Sequence, residues 1–90
     1  MLRITIHDDP EFLTFQLEGK VAGRSVRALH DCWQGARGAS PRRGVRFDLR
    51  DVTFVDTEGK AFLAARYAQG AELIAGGCLA RGIVAEIAKA

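Results

Sequence analysis

Three stretches of the chain alternate apolar and polar residues with a period of two: "LRITIH" from Leu2, "LTFQLE" from Leu13 and "VRFDLR" from Val45. That period belongs to strands that bury one face and keep the other polar. A sheet sandwiched between two layers of helices would carry strands apolar on both faces, so such an architecture is disfavoured from the outset. Thr5, Thr14, Gln16, Glu18, Arg46 and Asp48 are expected on an open face. Leu2, Ile4, Ile6, Leu13, Phe15, Leu17, Val45, Phe47 and Leu49 are expected on the covered one.

The connections decide how these strands are laid down. "DDPE", Asp8 to Glu11, is a turn sequence: Pro10 removes a donor and the acids favour tight reversals. So short a link permits only an antiparallel hairpin. After the second strand Gly19 and Gly23 loosen the chain, and a helix is expected from Arg24 or Ser25, with Ser25 a candidate N-cap. Val26, Leu29, Trp33 and Ala36 form one helical stripe. "GARGASPRRG", Gly35 to Gly44, is expected to end that helix as a mobile polar loop.

The third strand can continue through Val52 to Val55, and a second helix is expected from Asp56 to about Gln69, rich in strong helix formers. "AELIA", from Ala71, is a short fourth strand, and Leu79, Ile83, Val84 and Ile87 recur at helical spacing in a terminal helix. Strands separated by helices are parallel. The predicted class is α/β: a mixed four-stranded sheet, with an N-terminal antiparallel hairpin followed by parallel β-α units and three helices mainly on one face. Such a sheet has open edges, and dimerisation or docking to another protein is one way to cover them.

Ninety residues suit one small domain, 1–90, and no second core. With 48% hydrophobic and 27% charged residues the chain reads as globular. A net charge of +2 spread among interleaved acids argues against a nucleic-acid surface. No apolar run of the chain approaches the length of a membrane span, about 20 residues. No membrane insertion is therefore expected. The start "MLRITIH" lacks the apolar core of a secretory signal, and Cys32 and Cys78 form no Cys-x-x-Cys pair, so a reduced, cytoplasmic setting fits. His30 and Cys32 with His7 or Cys78 is the one conceivable metal set; buried cysteines are more often inert packing, and no metal or other cofactor is expected.

The segment richest in chemistry is "FVDTEGKAF", Phe54 to Phe62. It sets a helix N-terminus at the end of a parallel strand, the end at which α/β proteins hold ligands and partners. Asp56 is suited to cap the free N–H groups, Glu58 suits the positive end of the helix dipole, and Gly59 permits close approach. Thr57 presents a hydroxyl between the two acids. A phosphate-binding P-loop is excluded, because Phe54 and Ala61 stand where that motif needs a glycine and a Ser or Thr. On these residues alone, an ordinary capped corner accounts for the pattern.

The stretch "FDLRDVTFVDTEGKAFLAARYAQGAEL" resembles the central signature of the STAS domain family, which includes anti-anti-sigma factors and domains attached to anion transporters. There an apolar strand leads through Asp-Ser-Ser/Thr-Gly into a helix, followed by a glycine and a short strand. "LTFQLEGKVAG" resembles the family's earlier strand and its L-x-G turn, here Leu17 to Gly19. The resemblance implies a STAS-like fold and a protein-interaction module of the anti-sigma factor antagonist type. In signalling members a kinase-like anti-sigma factor phosphorylates the hydroxyl after the motif aspartate, and only the unmodified form binds that partner. By position the aspartate is Asp56 and the phosphoacceptor Thr57, and the partner-binding set is Asp56, Thr57, Glu58, Gly59 and Lys60. Glu58 replaces the family's second hydroxyl and Lys60 an apolar residue, both on the expected docking surface. The chain also stops soon after Ile87, so the last strand and helix of longer members are expected to be absent, which favours a homodimer.

Two functions are therefore carried forward: a regulatory binding module with Thr57 as the switch, and an accessory subunit of a membrane transporter ATPase in which Thr57 is only a contact. A sensor holding a nucleotide or small anion at the helix N-terminus is a weaker third. An enzyme is not expected, since no nucleophile-base pair or paired carboxylates stand in a context of their own.

Overall fold

The computed structural model describes residues 2–39, 43–76 and 78–89. The elements run β1 (Leu2–Asp8), β2 (Phe12–Val21), α1 (Arg24–Ala39), β3 (Gly44–Val55), α2 (Thr57–Ala68), β4 (Glu72–Ile74) and α3 (Cys78–Lys89). They build one sheet in the order β1-β2-β3-β4. Pairing is antiparallel between β1 and β2 and parallel elsewhere, as the connections predict.

The hairpin turn is held by its own acid, as turn aspartates commonly do. The Asp9 carboxylate accepts hydrogen bonds from the N–H groups of Glu11 at 3.0 Å and Phe12 at 3.3 Å, and the Asp9 N–H donates to the Phe12 carbonyl. Register then sets Leu17 beside Ile4 and Phe15 beside Phe47, which places the apolar set on the face that the helices cover. Phe15 and Phe47 stack at 5.2 Å, Phe62 of α2 meets Phe47 edge-on at 5.7 Å, and Trp33 of α1 meets Phe62 edge-on at 6.0 Å. This aromatic line ties two strands to two helices, each contact contributing about 0.5–1.5 kcal/mol beyond burial. Ile83 and Ile87 close the core from α3.

Several sequence expectations need correction. β2 does not stop before Gly19 but pairs through to Val21, where parallel bonding to β3 outweighs the glycine's weak strand preference. Ser25 lies inside the first turn of α1 and does not cap it: the N–H groups of Ser25 and Val26 donate to the carbonyls of Ala22 and Gly23. α1 also runs on through Gly35 and Gly38, because Trp33 and half-buried Ala36 keep that stretch on the core. Their burial offsets the roughly 1 kcal/mol that each helical glycine costs. The rest of the expected loop, residues 40–42, lies outside the described residues, as do the side chains of Cys78 and Leu79.

β3 departs from simple alternation. Its register against β2 slips between Gln16 and Glu18 and again between Gly19 and Lys20, so β3 carries an extra residue at each place. The core positions become Phe47, Leu49, Val52 and Val55, and Phe54 is turned out, 48% exposed. Ile6, expected inward, is 42% exposed on the edge strand.

On the open face Asp48 is buried, 5% exposed, contrary to expectation. Arg50 covers it with hydrogen bonds from Nε at 3.0 Å and Nη2 at 2.7 Å, and the Arg50 N–H donates to the same carboxylate. The Arg50 hydrogen bonds hold the Asp48 carboxyl below its ordinary pKa. Nearby, Arg46 pairs with Glu72 at 2.9 Å and lies 3.6 Å above the Phe12 ring, and His7 Nε2 is 2.7 Å from Gln16 Oε1. The other polar residues expected on this face are half-buried.

Candidate docking site

Parallel pairing builds the site. Val21 at the end of β2 lies opposite Val55 at the end of β3, so the chain leaves the sheet for α1 and for α2 at the same end. Asp56 joins the two exits. Its own N–H donates to the Val21 carbonyl at 3.2 Å. Its Oδ1 accepts from the Gly59 N–H at 2.7 Å. That is the N-cap bond expected for α2. Its Oδ2 accepts from the Gly23 N–H at 2.9 Å, just before α1 begins. These N–H donors, Gly59 foremost and then Gly23, hold the Asp56 carboxyl below its usual range.

Gly23 sits at φ +57°. This is left-handed backbone that other residues adopt only at a cost, and the turn aims the Gly23 N–H at Asp56. Gly59 serves a different need. It is buried, and a Cβ there would stand 2.4 Å from the Val21 carbonyl oxygen and 2.8 Å from Val55 Cγ1. Its close approach is thus to the chain's own sheet, seating the first turn of α2 on the strand ends.

With Asp56 and Gly59 turned to the scaffold, Thr57 and Glu58 are left exposed on the first turn. Lys60 points along the flank to α3, where Nζ lies 3.2 Å from Glu86 Oε2. The five expected residues therefore share one corner in three roles: scaffold (Asp56, Gly59), outward surface (Thr57, Glu58) and a link to α3 (Lys60).

Beside the corner α1 and α2 enclose an open groove of about 560 Å³. Glu58, Ala61 and Phe62 line it from α2, and Val26, Arg27 and His30 from α1. The His30 ring stands edge-on to Phe62 at 5.9 Å and 5.7 Å from Trp33. Sequence reasoning missed Arg27, His30 and Ala61. The signal was there in part, since Arg27 and His30 are three apart on one helix, as are Glu58 and Ala61 on the other. That these two faces meet required the tertiary fold. Among the described residues no group of three or more His, Cys, Asp or Glu side chains could hold a metal ion, and no helix is long and apolar enough to cross a membrane.

Among solved structures the chain is similar to the anti-sigma factor antagonist SpoIIAA in its unphosphorylated form, at a TM-score of 0.67 and 14% identity over 90% of this chain and 80% of that one. The fold is SpoIIAA-like, that of a STAS-like domain. It is similar also to an uncharacterised DUF3478 protein from Shewanella loihica PV-4 described as having a SpoIIAA-like fold, with TM-score 0.57 and 17% identity over 87% of this chain and 70% of that one. The crystal structure of Mglu matches at TM-score 0.62 and 18% identity over 81% of this chain, which spans only 19% of that one. No family model and no curated protein matches the sequence. In this STAS-like fold, Asp56 to Lys60 occupy the corner between the β3 strand and the α2 helix.

Proposed function

We propose that the chain is a non-enzymatic protein-interaction module of the anti-sigma factor antagonist type, which binds a regulatory protein through the corner Asp56 to Lys60 and the adjoining groove between α1 and α2. Thr57 occupies the phosphoacceptor position. One observation carries this reading: the scaffold bonds of Asp56 and the buried Gly59 fix the first turn of α2 so that Thr57 and Glu58 are exposed, with Glu58 on the wall of the groove. A phosphate on Thr57 would add about −1.5 to −2 charges between Asp56 and Glu58, and like-charge repulsion would oppose docking of any partner surface that accepts those acids only singly. Modification would thereby act as an off-switch.

The second reading, an accessory subunit of a transporter ATPase, draws on Glu58 and Lys60. Glu58 is a permanent charge at the groove, and Lys60 is already tied to Glu86. Such a corner is a docking surface without a switch, and Thr57 is then an interface contact.

The test is affinity capture from the native lysate with wild-type, Thr57→Ala and Thr57→Glu proteins, with mass spectrometry of the bound proteins and of the Thr57 peptide. A kinase-fold partner that is lost with Thr57→Glu supports the switch. A transporter ATPase captured with unmodified Thr57 supports the fixed surface. A partner retained equally by all three proteins would remove the corner as the site.

A further inference from the structure

At the opposite end of β3 from the docking corner lies a second cavity, of about 170 Å³, where α1 and α2 end and β3 begins. Its lining includes three arginines, Arg37, Arg43 and Arg66, with Trp33, Gln69 and Gly70, and no acidic residue among the described residues. Arg43 has a partner in Asp8. Among the described residues Arg37 and Arg66 have no acidic partner: Arg37 reaches only the Gln69 side-chain oxygen, at 3.5 Å, and the Arg66 Nε is sealed from solvent with no protein acceptor. Both guanidiniums instead lie against the Trp33 ring, at 5.3 Å and 4.0 Å from its centroid, where the ring face attracts a cation.

Three like charges around one cavity, two of them with no described acid beside them, are poorly explained by folding needs alone. Arg37, in the last turn of α1, is placed to serve the free carbonyls of that helix, but the end of α2 beside Arg66 has little such need. The carbonyls of Ala65, Arg66 and Tyr67 already accept from the N–H groups of Gln69, Gly70 and Ala71. Burial, and then repulsion by Arg37, lowers the Arg66 pKa from the ordinary arginine value, a shift that an anion between the two would oppose. Several forked donors around one space match the oxygens of a dianion better than a single carboxylate. A water takes about 30 Å³ of liquid, and on that scale the cavity has room for a phosphate group and a short stem.

We propose that this arginine-lined cavity is a binding site for a small phosphate-bearing molecule, held by Arg37 and Arg66 beside Trp33. It is independent of the docking corner.

Trp33 is the only tryptophan in the chain, so its fluorescence reports on the site directly. The experiment titrates inorganic phosphate and, separately, glycerol 3-phosphate into the full chain at fixed ionic strength, with chloride as the reference anion. The expected result is a saturable change in Trp33 emission that chloride does not produce. Tighter binding of glycerol 3-phosphate assigns the phosphate to an organic ester, and tighter binding of inorganic phosphate to the free ion. Arg37→Gln, at an exposed position, should keep its far-ultraviolet circular dichroism and weaken binding at least tenfold, whereas Thr57→Ala should leave it unchanged. A response that superimposes on chloride, or equal affinity in Arg37→Gln, would overturn the proposal.

Discussion

The Asp56 carboxylate accepts a hydrogen bond at 2.9 Å from the backbone N–H of Gly23, a residue 33 positions earlier in the chain. This bond, made by the same side chain that caps α2, couples the start of α1 to the start of α2. The corner is therefore held from two sides, and its rigidity depends on a carboxylate having two oxygens.

Asp56→Asn should keep the cap and lose the second bond, since an amide has one acceptor oxygen, while Asp56→Ala loses both. Thermal midpoints should fall in the order wild type, Asn, Ala. Hydrogen exchange at the Gly23 amide should accelerate in both variants. Unaltered exchange in Asp56→Asn would mean the bond to Gly23 contributes nothing.

Gly59→Ala places a methyl group 2.4 Å from the Val21 carbonyl oxygen. Backbone cannot yield as a side-chain tip can, so a loss of about 1–3 kcal/mol in urea unfolding is expected. A stability equal to wild type would show that α2 can lift from the strand ends at little cost.

Thr57→Ala removes an exposed hydroxyl beyond the cap. Its unfolding free energy should differ from wild type by about 0.5 kcal/mol or less, as surface substitutions usually do. Partner capture should nevertheless weaken. The separation of these two readouts distinguishes a docking residue from a structural one.

Phe47→Ala removes the ring at the middle of the aromatic line between Phe15 and Phe62. The expected cost is about 3–5 kcal/mol, measured by denaturant titration, enough to unfold a large share of so small a domain.

Two carboxylates are placed to contribute to the acid limb of stability. Asp48, through its Arg50 hydrogen bonds, and Asp56, through the N–H groups of Gly59 and Gly23, are both shifted below the ordinary aspartate value. A depressed folded-state pKa contributes stability that is complete above the unfolded value of about 3.9 and is lost as pH falls from there through the folded value. Unfolding free energy should therefore decline below about pH 4, and Asp48→Asn should flatten that decline while costing roughly 1–2 kcal/mol at neutral pH. A wild-type curve flat through this range would contradict both assignments.

What the sequence determined by itself was local. The period-two alternation of "LRITIH", "LTFQLE" and "VRFDLR" names strand and face because side chains on a strand alternate by geometry. The hairpin at Asp8 to Glu11 follows from a link too short for any other pairing, and the Asp56 cap from a few neighbouring residues of chain. What only the tertiary structure decided was every relation across distance. Parallel pairing of β2 with β3 carries Gly23 to Asp56 and Val21 to Gly59, so neither the left-handed turn nor the buried glycine has a meaning within its own segment. The two register slips in β3 turn Phe54 outward, and the Arg50 fork over Asp48 buries an acid that alternation assigns to the surface. Likewise the end of α1 extends past its glycines because Trp33 has a core to enter. A residue's period records its own face, whereas its burial and hydrogen bonds depend on which distant segment the fold sets against that face.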